Sequence, residues 1–223
     1  MNLQNLFVGC AFAAALATQA HASAVLNASF ETGDLTGWTA TEGPVDVVTD
    51  TVDFLGGPPF SDPIGPTDQD YFAQLAAGSE VGVYTMLTSN AFTLTETSIL
   101  SLDAAFLGFD YADYFDDAYV RVLGVGGGSL FATGIEFVGE FGRTDWATYS
   151  RTLNAGTYVI EAGVRNVGEA GGPADLTYAS RLLIDNVTLQ VAGVPEPTSW
   201  ALMIIGFGSA GAMLRRRRAV SPI

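Results

Sequence analysis

Ala147 to Asn166 reads ATYSRTLNAGTYVIEAGVRN. β-Branched and aromatic residues alternate with polar ones on both sides of Asn154-Ala155-Gly156, a cluster of turn formers. The reading is strand, hairpin-like turn, strand, over Ala147 to Leu153 and Thr157 to Asn166. The same grammar repeats outward in both directions. It predicts strands over Val25 to Phe30, Val45 to Val48, Tyr71 to Leu75, Val81 to Leu87, Ile99 to Phe109, Ala118 to Leu123, Leu130 to Phe137 and Leu182 to Val191. No long helical period interrupts them. Short strands broken by Gly, Pro, Asn and Asp predict an all-β fold, a two-sheet sandwich of the jelly-roll kind, over residues 23–193. Leu55 to Asp70 (LGGPPFSDPIGPTDQD) is a long loop with four Pro, read either as a variable surface insertion or as a ligand loop.

The 223 residues hold 24 acidic side chains, nine Arg and no Lys. Four of the nine are consecutive, Arg215 to Arg218. Ser23 to Val194 therefore keeps five Arg against 23 Asp and Glu, a formal charge of −18. A phosphate-binding face needs clustered Lys or Arg, so nucleic acid is excluded as a partner. The charge suits a soluble extracellular surface, or one that attracts cations.

Both ends are targeting segments. Leu6 to Ala17 is a 12-residue apolar run, and Ala20-His21-Ala22 follows in the small-x-small pattern that a signal peptidase reads. Residues 1–22 are thus a signal peptide, here expected as a signal helix, with cleavage after Ala22 or after Ala24. The n-region has no Lys or Arg, and a lipoprotein reading of Cys10 is the alternative. At the other end Pro195-Glu196-Pro197 is a stiff break, because Pro fixes φ and keeps its predecessor out of the α region. Thr198 to Leu214 is uncharged and mostly apolar. As a transmembrane helix it would span about 26 Å, close to the hydrocarbon thickness of a bilayer. Arg215 to Arg218 would then stay in the cytoplasm and the main domain outside. Residues 219–223 are a short tail.

Physics alone leaves this end as either a plain anchor or a sorting tail. The order Pro195-Glu196-Pro197, Trp200, an apolar run with Gly206-Phe207-Gly208, then Arg215, Arg216, Arg217 and Arg218 resembles the PEP-CTERM signal of Gram-negative bacteria. The resemblance implies an exosortase as partner and cleavage near the Pro-Glu-Pro triplet. It also implies a transient hold in the inner membrane and association with the cell surface, exopolysaccharide or biofilm.

Three further stretches carry a second resemblance. Asn27 to Trp38 (NASFETGDLTGW) opens the domain, Asp145-Trp146 leads to Leu153-Asn154-Ala155-Gly156-Thr157-Tyr158, and Leu183 to Leu189 (LIDNVTL) closes it. Together they resemble the galactose-binding-like β-sandwich of many carbohydrate-binding modules. The residues themselves put Phe30 and Trp38 in the sandwich edge, and make Asp185, set in an apolar closing strand, a carboxylate that needs a partner. Some members of the family hold a structural Ca²⁺ with the Glu of the opening motif and the Asp of the closing strand, here Glu31 and Asp185. Hard Ca²⁺ takes six to eight oxygens. A turn or edge Asp bonded to backbone is the other reading of Asp185. The acidic run Asp110 to Asp117 (DYADYFDD) is open in the same way. It is either a Ca²⁺ or sugar contact, or a solvated loop whose rings dip into the core.

Once the signal peptide is removed, no His, Lys or Cys remains, because the only His and Cys are His21 and Cys10. A Ser-His-Asp triad then has no base. Thiol nucleophiles and Schiff-base lysines are excluded, as are zinc sites built on His or Cys. Gly124-Val125-Gly126-Gly127-Gly128 lacks the Lys-Ser/Thr of a phosphate loop. The sequence thus predicts a non-enzymatic, exported surface or matrix protein that binds or organises polysaccharide. A carbohydrate-active enzyme with paired carboxylates and a structural adhesin without a specific ligand are the alternatives.

Overall fold

The computed structural model describes residues 25–51, 64–168 and 176–192, together with 204–207 and 209. The signal segment, the Pro-Glu-Pro triplet, the Arg cluster, most of 198–214 and residues 52–63, which include the first part of the long loop, lie outside the described residues. Residues 204–207 and 209 are helical, and among the described residues no helix is long and apolar enough to cross a membrane.

Eleven strands run in chain order. They are β1 (Trp38–Thr41), β2 (Val45–Val48), β3 (Phe72–Ala76), β4 (Tyr84–Ser89), β5 (Phe92–Leu94), β6 (Ser98–Leu107), β7 (Asp117–Leu123), β8 (Gly128–Gly134), β9 (Ala147–Leu153), β10 (Gly156–Arg165) and β11 (Arg181–Val191). A one-turn helix α1 (Ile135–Val138) follows β8. One sheet has the order β1-β4-β10-β7-β8, with β5 paired to the start of β10, and the other has β2-β3-β11-β6-β9. All pairings are antiparallel. This is the expected two-sheet sandwich.

Alternation builds the interior, because successive side chains of a strand point to opposite faces. Leu87, Val120, Val122, Ile160, Ala162 and Val164 face inward from the first sheet; Leu75, Leu100, Leu102, Phe106, Leu182 and Ile184 meet them from the second. A second, smaller cluster joins Phe72, Ala105, Leu107, Phe109 and Leu183, with Ile64, Phe141 and Trp146 packed against it. These strand residues have the other parity, so the cluster lies on the outer side of the second sheet, under the 64–71 and 141–146 segments. Burial on both faces accounts for the unbroken buried run Leu102–Leu107 in β6.

Two local expectations are corrected. Asn154 to Gly156 does reverse the chain, but β9 and β10 do not pair: β9 joins β6 and β10 joins β7 and β4. The turn is an arch from one sheet to the other. The Tyr158 hydroxyl braces it, its one proton shared between the carbonyls of Asn154 and Val125, each at 3.0 Å. Val25 to Phe30 is not a strand. Asn27 and Phe30 have φ of 48° and 60°, and the Asn27 side chain donates to the Asp34 carbonyl and accepts from the Thr32 N–H. An Asx side chain competing for local backbone groups folds the segment into turns. Smaller differences follow from length. Val81 to Val83 turns before β4 begins, Leu130 to Phe137 divides into β8 and α1, and β1 and β5 are short strands that the pattern did not separate.

Phe30, fully buried, lies 5.1 Å from Trp38 between ring centroids, so the opening turns close over one edge of the core. Phe30→Ala is expected to cost about 3–5 kcal/mol of unfolding free energy. Urea denaturation of the chain in mild detergent measures it, and a change under 1 kcal/mol is not compatible with this packing.

Candidate functional site

The two residues predicted from the closing and opening motifs act on one segment. Asp185 lies on the outer side of the second sheet, directly across from Asp103 in register, at the point where a bulge interrupts β11. Its Oδ2 accepts the N–H of Thr67 at 2.7 Å, the Thr67 hydroxyl at 3.0 Å and the N–H of Asp68 at 2.9 Å. Its Oδ1 accepts the Asn186 N–H at 2.6 Å. Glu31 accepts the N–H groups of Asp70 and Tyr71 with its carboxylate, at 3.1–3.3 Å. The opening and closing motifs thus clamp the end of the long loop, residues 67–71, against the sheet.

Donors occupy these oxygens as arranged, and a calcium ion would have to displace them. Among the described residues no three acidic side chains gather to hold a metal. Burial pushes the Asp185 carboxyl up, against the bonds from Asp68, Asn186 and Thr67. Burial acts on Asp103 in the same sense, but bonds from Thr148, Thr67 and Asn186 outweigh it and hold that carboxyl below its ordinary range. Both acids are buried.

The outer face of the first sheet is different. Register places three rows across β4, β10 and β7: Tyr84, Arg165 and Asp117; then Met86, Gly163 and Tyr119; then Thr88, Glu161 and Arg121. The Arg165 guanidinium meets Asp117 at 2.6 Å and that of Arg121 meets Glu161 at 2.5 Å. Each tyrosine completes a row or joins two. The Tyr84 hydroxyl donates to Asp117, and the Tyr119 hydroxyl donates to Glu161 at 2.9 Å. Arg165 lies 4.8 Å from the Tyr84 ring centre and Arg121 lies 5.0 Å from that of Tyr119. The two rings meet edge to face at 5.0 Å. Burial, and then the bond to a carboxylate, raises each phenol to about 12, so both stay hydroxyls.

Gly163 sits at the centre of this lattice because the Tyr119 ring crosses it. A Cβ there would lie 2.7 Å from Tyr119 Cε1. The arrangement gives a face with aromatic rings, planar donors and fixed acceptors, partly open to solvent. Sequence reading did not find it. The signal was present as period-2 sets, Asp117-x-Tyr119-x-Arg121 and Glu161-x-Gly163-x-Arg165, but 40 residues separate them.

The acidic run Asp110 to Asp117 divides. Asp117 belongs to the face, Asp113, Tyr111 and Phe115 are exposed, and Asp110 and Asp116 are buried. Tyr111 packs on Phe141 at 4.8 Å between ring centroids.

The clamp has a measurable weight. Asp185→Ala leaves the Thr67 and Asp68 donors without their buried acceptor and is expected to cost about 2–4 kcal/mol. Asp185→Asn, which keeps one acceptor oxygen, is expected to cost less. Denaturant melts rank the two, and limited proteolysis should cut the alanine variant first near residues 64–71. Equal stability of wild type and Asp185→Ala would mean that the clamp is slack.

Comparison with curated proteins finds no match. Among solved structures, the sandwich is similar to a xylan-binding domain (CBM22-2) of Paenibacillus barcinonensis Xyn10C, at 11% identity and TM-score 0.40, covering 74% of this chain and 98% of that one. It is also similar to the K3 adhesin domain of Lys-gingipain from Porphyromonas gingivalis, at 14% identity and TM-score 0.44, covering 77% and 98%. A family 22 carbohydrate-binding module of Clostridium thermocellum Xyn10B matches at 12% identity and TM-score 0.37, covering 78% and 93%. Residues 193–218 match the PEP-CTERM protein-sorting motif. The chain is an all-β sandwich protein that carries a PEP-CTERM motif, which implies export to the cell surface and processing by an exosortase.

Proposed function

We propose that the mature domain is a non-catalytic, jelly-roll binding module of the Gram-negative cell surface or matrix, and that it takes a glycan chain on the outer face of the first sheet. The observation that carries this is the lattice of Tyr84, Tyr119, Arg121, Glu161, Arg165 and Asp117 on the more open of the two outer faces. Sugars offer apolar C–H faces to aromatic rings and hydroxyls to planar donors and acceptors, and this face supplies all three. Neighbouring strands lie about 4.8 Å apart, so the rows extend across several strands and suit a chain rather than a single sugar.

Catalysis by paired carboxylates fits poorly. Asp117 lies opposite Arg165, four residues along β10 from Glu161, so the two backbones are about 14 Å apart. Glycoside hydrolysis needs its acids at about 5–9.5 Å. Both carboxylates are also tied to guanidinium groups. A calcium ion between Glu31 and Asp185 is not part of this reading, because N–H donors take up their oxygens.

Two experiments test the proposal. On a glycan array followed by calorimetry, Tyr119→Ala and Tyr84→Ala should each weaken binding about tenfold or more, which is ~1.4 kcal/mol. Gly163→Val, which drives a side chain into the Tyr119 ring, should do the same. Wild-type chain that binds no glycan, or variants that bind as well as wild type, would leave an adhesin without this ligand site. For sorting, replacing Pro195, Glu196 and Pro197 with alanine should leave full-length chain in the inner-membrane fraction of the native host. Normal processing of that variant would separate the tail from its assigned enzyme.

A further inference from the structure

Asp110 and Asp116 lie at the end of the sandwich opposite the point where Ala192 donates to Thr97 and the chain leaves for its sorting tail. The β6–β7 loop carries both, and it closes on itself through Tyr114 N–H to Tyr111 O and Asp116 N–H to Tyr114 O. Asp116 is 0% exposed and Asp110 6% exposed. Asp116 ties two further segments to this loop. Its carbonyl accepts the N–H of Ile135 at 2.9 Å, and its Oδ1 accepts the N–H of Val167 at 2.8 Å. The carbonyl of Asp110 accepts the N–H of Phe141 at 3.1 Å. Yet Asp116 Oδ2 is buried without a hydrogen-bond partner, as is the Asn166 amide nitrogen. A buried carboxylate oxygen with no donor is costly, and a second buried carboxylate nearby makes it costlier.

We propose that Asp116 is a proton-held latch: a proton kept on its buried carboxyl lets the β6–β7 loop bind the α1 segment and the chain after β10, and loss of that proton loosens this end of the domain.

The charged groups on the packed elements are Asp113, Asp117 and its partner Arg165, Glu136, Glu140 and Arg143 after β8, and Arg181 at the head of β11. Asp110 is a like charge that bears on Asp116. Burial raises the Asp116 carboxyl to about 6, Asp110 adds to the rise, and the Val167 bond together with the nearby Ser180 offsets only part. The folded chain therefore binds a proton that the unfolded chain has released above its ordinary value of 3.8. The stabilisation falls as pH climbs from that value through about 6. The latch adjoins Asp117, so it also positions the first row of the proposed glycan face, though it does not depend on that reading.

The test is a series of melting curves of the full chain in mild detergent, from pH 4 to 7.5. Wild-type Tm should fall across this range. Asp116→Asn, which keeps the volume and cannot ionise, should show a shallower fall and a higher Tm than wild type at pH 7.5. Any slope from Asp185, whose carboxyl is also raised, remains in that variant and cancels in the comparison. Hydrogen exchange at Ile135, Phe141 and Val167, corrected for intrinsic rate, should quicken at pH 7.5 in wild type but not in the variant. If Asp116→Asn does not fold, Asp110→Asn, which removes the repelling charge, should flatten the profile instead. A variant that reproduces the wild-type slope overturns the latch. So does a Ca²⁺-dependent rise in wild-type Tm that Asp116→Asn abolishes, since the pair would then hold a metal ion.

Discussion

The Asp185 carboxylate lies under the Thr67–Asp68 turn, fully buried, with four donors on its two oxygens. A carboxylate in that position is tolerable only while those donors stay, because desolvating it alone would cost several kcal/mol. The bond network therefore ties the end of a proline-rich loop to the middle of β11. Glu31 adds a second tie from the opening turns. Ile64 and Trp146 then pack over Phe72, Leu183 and Ala105, and much of the outer side of the second sheet closes. The outer face of the first sheet is left as the broad one that a ligand can reach.

That open face is electrically quiet although the domain is strongly acidic. Each of its two arginines is matched to a carboxylate, and each tyrosine hydroxyl is spent on a carboxylate. Such a surface offers directional hydrogen bonding and ring contact without a large net field. Its geometry rests on Gly163, where any side chain would lift the Tyr119 ring. Buried Asp110 and Asp116 lie in the loop that leads into Asp117, at one end of this face.

Much of the sandwich was legible in the chain. β2 and β9 carry the bounds that alternation predicts, β7 and β11 differ from it by one residue at one end, and β6 and β10 by one or two residues at each end. Long strands reveal themselves because one face must be apolar. β1 buries only Trp38 and β5 has three residues, so neither sustains an apolar alternation. Val25 to Phe30 misled because its composition is strand-like while Asn27 bonds its own neighbourhood into turns. Glu31 and Asp185 were picked out as important carboxylates, and the structure puts both to work on backbone N–H groups. Tyr84, Tyr119, Arg121, Glu161, Gly163 and Arg165 were not picked out, because no local spacing links β4, β7 and β10.

By itself the sequence determined an exported, β-rich, acidic domain with a sorting motif at its end, since apolar run length, alternation, turn residues and net charge are properties of the chain in order. Only the tertiary structure decided that the 154–156 turn joins two sheets, which outer face is covered, and which rings and charges share the open one. Those outcomes depend on strand register, where a shift of one residue would send every side chain to the opposite face. Register is set by contacts between segments tens of residues apart, and no stretch of sequence contains it.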